Sequence, residues 1–96
     1  MNARELEANL LTRCTKAAHG ADTLALDQRE ANVFQVAASV VRTRFPRESA
    51  SLLRAGELYF ATHPGERLVT AQVVRNGWVV SLPRLRDMLE RQLNQV

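Results

Sequence analysis

The sequence predicts an α+β fold that is mostly helical: three helices, a β-hairpin turning at Asn76-Gly77, and a C-terminal helix. Three observations lead there. Apolar residues recur at three-and-four spacing through successive segments between residues 3 and 62. Two β-branched runs then flank Asn76-Gly77, and Ser81 with Pro83 opens a last segment of helical spacing. With 96 residues, 46% hydrophobic and 24% charged, and no internal repeat or Gly/Ser linker, the chain reads as a single domain, 1–96.

The first helix, from residue 3 to about 18, places Leu6, Leu10, Leu11, Cys14, Ala17 and Ala18 on one face and stops near Gly20. His19 beside that glycine suits a helix C-terminus, where the dipole favours a cation. Asp27 followed by Glu30 is a carboxylate form of the capping box, so a second helix begins there. Its stripe of Ala31, Phe34, Ala37, Ala38 and Val41, adjoined by Val33, Val36 and Val40, predicts packing on two sides. Pro46 disfavours helical geometry at Phe45, which ends the helix near Arg44. The same proline suits the first turn of a third helix, roughly 47 to 62, with Leu52, Leu53, Ala55, Leu58, Tyr59 and Phe60 as its apolar set. His63-Pro64-Gly65 closes it in a turn.

From Leu68 the character changes. Leu68, Val69, Thr70, Val73 and Val74 precede Asn76-Gly77, and Trp78, Val79 and Val80 follow. Asn-Gly between β-branched runs signals a hairpin, because a type I′ turn needs positive φ at both central residues. In that register Val69, Ala71, Val73, Trp78, Val80 and Leu82 share the buried face. A competing reading makes 66–75 a helix with Asn76 and Gly77 at its C-terminal cap, since Leu68, Ala71 and Val74 also have helical spacing. The expected core is Phe34, Ala37, Val41, Leu53, Phe60, Trp78, Val80 and Leu89.

Composition bounds the chemistry. No run approaches the ~18 apolar residues of a membrane span, and the N-terminal residues lack a signal-peptide layout, so the expectation is a cytoplasmic protein with no membrane association. A lone cysteine, Cys14, excludes an intramolecular disulfide and a Cys-based zinc cage, and its place on an apolar helix face makes it a buried small hydrophobe. Glycine-rich phosphate loops, Gly-x-Ser-x-Gly, His-Glu-x-x-His and calcium loops are all missing from the sequence, which predicts a protein that is not an enzyme and uses no cofactor or metal.

Charge is the positive signal. The chain carries a net +3, and twelve of its thirteen basic residues are arginine. Residues 42–54 hold Arg42, Arg44, Arg47 and Arg54 against Glu48, an excess equal to the net charge of the whole chain. These arginines surround the start of the third helix, where phosphate would meet both guanidinium forks and the helix dipole.

The order of three helices, hairpin and closing helix resembles the winged-helix class of DNA-binding domains over about 28–82, in topology and not in motif. The resemblance implies a third helix in the major groove and a hairpin wing on the adjacent backbone. The expected function is therefore a small non-enzymatic transcription regulator that binds DNA through Arg42, Arg44, Arg47, Arg54 and, on the hairpin tip, Arg75. The alternative is a protein-binding regulator (antiactivator, adaptor or secretion-type chaperone) acting through an apolar helix face, for which Leu85, Met88 and Leu89 are the candidates. Either partner, DNA or a regulatory protein, is compatible with a homodimer, the expected assembly.

Overall fold

In a computed structural model, which describes residues 2–21 and 25–95, Asn2 opens the first helix, α1 (Ala3–Ala18), by accepting the Glu5 N–H at 2.9 Å. The helix buries Leu11, Cys14, Ala17 and Ala18. It ends where Gly20, at φ +78, donates to Ala17 O while Ala21 N–H reaches Lys16 O. This paired closure is a Schellman motif, which needs a residue at ease with positive φ.

The second helix, α2 (Gln28–Val41), starts with the capping box: Asp27 Oδ1 accepts from Glu30 N at 2.8 Å, and Glu30 Oε1 accepts from Asp27 N at 3.0 Å. Eight of its fourteen residues are buried, with Phe34, Ala37 and Val41 fully so. That is the signature of a central helix, and α2 packs against every other helix.

Phe45 precedes the third helix, α3 (Pro46–Thr62), which has proline in its first turn as expected. Ser49 Oγ donates to Ala38 O at 2.7 Å, and seven residues later Gly56 faces Ala31 O. Contacts that ascend α3 thus descend α2, so the two form an antiparallel αα-hairpin across 42–45. A Cβ at Gly56 would sit 3.3 Å from Ala31 O, and the glycine permits this close approach. The buried stripe of α3 is Ser49, Leu52, Gly56 and Phe60, narrower than the sequence predicts. Leu53, expected in the core, is 45% exposed, and Leu58 is 74% exposed.

The expected α+β fold, and with it the winged-helix-like order, is corrected here. Among the described residues there are five helices and no strand. Residues Thr70–Arg75 are a short helix, α4, and the final helix is α5 (Leu82–Asn94). Asn76 lies at φ −72, so the hairpin's type I′ turn is not formed. Gly77 alone takes positive φ, at +74. Its N–H donates to Val74 O at 3.0 Å and the Trp78 N–H to Val73 O at 3.2 Å. This is the same closure that ends α1, and it makes the competing C-cap reading the observed one.

Burial follows from that geometry. Val73 is fully buried and Val79 nearly so, whereas Val80, expected in the core, is 67% exposed; Trp78 is half-buried. With no strand there is no alternation to aim Val80 inward.

The connector between α3 and α4 is held by one buried amide. Asn32 Nδ2 donates to Glu66 O at 3.0 Å and to Gln28 O at 2.9 Å, while its Oδ1 accepts the Leu68 N–H at 2.8 Å. A buried side-chain amide is tolerated because its partners are present. Further out, Arg67 donates to Gln35 Oε1 and Glu57 Oε2 and lies 4.6 Å over the Phe60 ring. Tyr59 Oη donates to Glu66 Oε1 at 2.5 Å, and that carboxylate raises the phenol from 10.0 to about 12. His63 stacks on Tyr59 at 4.1 Å and caps α3, a helix-end role.

α5 begins at Ser81, whose Oγ accepts from Arg84 N at 3.3 Å. It buries Leu89, Glu90 and Leu93. Helices α3 and α5 each pack against both α1 and α2.

Candidate functional site

Because α5 contacts α1 and α2 while residues 76–81 cross between α4 and α5, the structure leaves a groove of about 350 Å³. One wall is α1, from which Leu6 and Leu10 project. The other is α5, which supplies Leu85 and Met88 one turn apart. Trp78 and Val80 form the rim, and Cys14 and Val33 lie at the floor. Both α5 side chains are half-buried, whereas Leu89, the third residue of the expected apolar set, is fully buried in the core.

Three charged side chains face this groove. Glu7 and Arg84 bridge its two walls, Arg84 Nε donating to Glu7 Oε1 at 3.3 Å. Arg29, from the first turn of α2, is the third. Its Nε is buried and, among the described residues, has no hydrogen-bond partner. The neighbouring carboxylate, Glu30, is engaged on both oxygens, by the Asp27 N–H and by Arg13. Cys14 is fully enclosed. Burial, reinforced by Glu30 and partly opposed by Arg13, pushes its thiol from 9.0 to about 12, so it is not a nucleophile at neutral pH.

The expected DNA-contacting arginines are all exposed. Arg42, Arg44 and Arg47 flank the α2–α3 turn. Arg44 is engaged there, donating from Nη1 to Glu90 Oε1 at 3.2 Å. Arg54 lies further along α3, in a shallow depression with Ala17, Gly20 and Leu58. Arg75, placed by the sequence on a hairpin tip, is the last residue of α4, a helix that packs on α2.

Arg29 and Asn32 escaped the sequence reading. A signal for Arg29 exists: a cation in the first turn of a helix opposes the macrodipole, which marks a residue whose position serves something other than helix stability. Asn32 has only the weak signal of a polar residue inside an apolar stripe.

Among the described residues no three His, Cys, Asp or Glu side chains cluster as metal ligands, and no helix is long and apolar enough to cross a membrane. No family model matches the chain, and no curated protein or solved structure is significantly similar to it.

Proposed function

We propose that this chain is a non-enzymatic, cytoplasmic regulator that binds a protein partner in the groove between α1 and α5. The observation that carries this reading is the half-buried apolar pair Leu85 and Met88, set opposite Leu6 and Leu10 on a helix whose Leu89 and Leu93 are in the core. Helix-lined apolar grooves receive the apolar faces of partner segments. The outward face of α3 points the same way: Leu53 and Leu58 stand where a DNA-reading helix carries polar side chains.

The exposed arginines at the α2–α3 turn support a second reading, nucleic-acid binding through phosphate contacts without a wing. One experiment separates the two. The tagged protein, its Leu85→Asp and Met88→Asp variants, and a variant with Arg42, Arg44, Arg47 and Arg54 changed to alanine are recovered from the native cell. A stoichiometric protein retained through high salt and through the arginine changes, but lost with either aspartate, fits the groove. Binding to random duplex DNA at ~50 mM salt that weakens steeply with added salt and vanishes in the arginine variant overturns it in favour of nucleic acid. A second copy of the chain as the partner, the homodimer, is read from sedimentation of the same variants.

A further inference from the structure

We infer that the segment received by the groove is an amphipathic helix bearing a carboxylate that pairs with Arg29. This inference rests on the protein-binding reading above and names the chemistry of the partner.

The first argument is shape. Ala3, Leu6 and Leu10 line the groove from successive turns of α1, a run of about 10 Å at the helical rise per residue. Leu85 and Met88 oppose them one turn apart. An elongated apolar trough with side chains at helical spacing on both walls is matched by leucine-like side chains at i, i+3 and i+7 of a third helix. The volume accommodates those side chains while the partner's backbone stays outside.

The second argument is charge. Glu7 and Arg84 satisfy each other across the opening, so the groove's uncompensated charge is that of Arg29. Its Nε has lost water without gaining an acceptor. The adjacent acid cannot supply one, since both Glu30 oxygens are occupied. A carboxylate arriving with the partner offsets the charge of the Arg29 guanidinium, and in an apolar surround such a charge-assisted bond is strong.

The test uses the full-length protein and synthetic helical peptides of about 14 residues, roughly 21 Å long. Leucines occupy i, i+3 and i+7, and Glu, Gln or Lys is placed in turn at each position flanking them. Affinity is read by fluorescence anisotropy, and location by amide shifts of 76–88. At least one Glu peptide is expected to bind in the groove about tenfold or more tighter than its Gln counterpart, the scale of a charge-assisted hydrogen bond. Arg29→Gln abolishes that preference, and Arg29→Glu reverses it in favour of Lys. Circular dichroism checks that each variant is folded, and the Arg29→Gln result stands alone should the reversal variant not fold. Equal affinity of Glu and Gln peptides, both in the groove, overturns the carboxylate and leaves the protein-binding reading standing. Groove shifts with none of the peptides overturn the inference, while loss of the native partner in Leu85→Asp would still uphold the broader reading. Decanoate binding the same residues more tightly than every peptide, with the same dependence on Arg29, assigns the site to a small apolar acid and overturns the helix.

Discussion

Arg44, on the turn after α2, places Nη1 3.2 Å from Oε1 of Glu90, forty-six positions away in α5. The pair is asymmetric: the Glu90 side chain is 10% exposed and that of Arg44 66%. The acid is committed to the interior, and the arginine reaches it from solvent. Removing the partner of a buried charge costs more than the pair contributes. Arg44→Ala is therefore expected to destabilise the fold by about 1 kcal/mol, discounted for the exposure of the arginine. Adding Glu90→Leu should recover most of that loss. Urea unfolding of the two single variants and the double variant gives the coupling, and additive effects would contradict it.

The closure of α4 is tested by glycine replacement. Gly77→Ala and Gly20→Ala should each cost about 1 kcal/mol, because both positions hold positive φ. Asn76→Ala should be nearly neutral, since Asn76 sits at φ −72. A type I′ hairpin would instead penalise both residues of the Asn-Gly pair, so matched losses at 76 and 77 in thermal melts would count against the helix cap.

These positions also show what could be read from the sequence. Asp27 with Glu30, Pro46, Ser81 and Gly20 act locally, through caps and proline geometry that need no tertiary context, and α1, α2, α3 and α5 follow from them. Asn76-Gly77 is different because the same glycine serves a hairpin or a helix stop. The choice fell to Val79, buried where the hairpin register would bury Val80, and to Asn32, which fixes the incoming chain at Glu66 and Leu68. Neither constraint is local. The candidate site was legible in part: Leu85 and Met88 are in the groove, but Arg29 enters only when α1, α2 and α5 come together.

Asn32 should be among the least replaceable residues. Asn32→Leu loses its three hydrogen bonds and leaves the Leu68 N–H and Glu66 O without that partner. A loss of about 2–4 kcal/mol is expected from the bonds removed and the groups left unpaired. Hydrogen exchange provides the local readout: the Leu68 amide should lose protection before amides in the middle of α2.

Cys14 should resist thiol reagents in the native state, reacting at the rate at which the chain opens. Alkali provides the thermodynamic counterpart. The folded thiol is raised to about 12, so below pH 9 it is protonated in both states and its contribution is fully present. Between pH 9 and 12 the unfolded chain releases a proton that the folded chain retains, and stability falls, by at most about 1.4 kcal/mol per pH unit for one group. Tyr59, raised in the same direction, adds to the decline above pH 10. Cys14→Ala should flatten the curve between pH 9 and 10, measured by denaturant unfolding; an unchanged slope there would contradict the burial effect.

The amide of Asn32 has a bearing on selectivity. A six-residue helix has little stability of its own, so α4 and the rim that follows it stay in place through the Asn32 anchor just before them and the burial of Val73 and Val79. The opposite side of the groove is built from two long helices seated in the core. The α1 and α5 walls are thus rigid, and the rim is a clasp held by the Asn32 amide and by the buried Val73 and Val79. On the proposed protein-binding reading, such a vice would grade its occupants on the rigid side, where Leu6, Leu10, Leu85 and Met88 set a template, and accommodate differences in girth on the side of Trp78 and Val80.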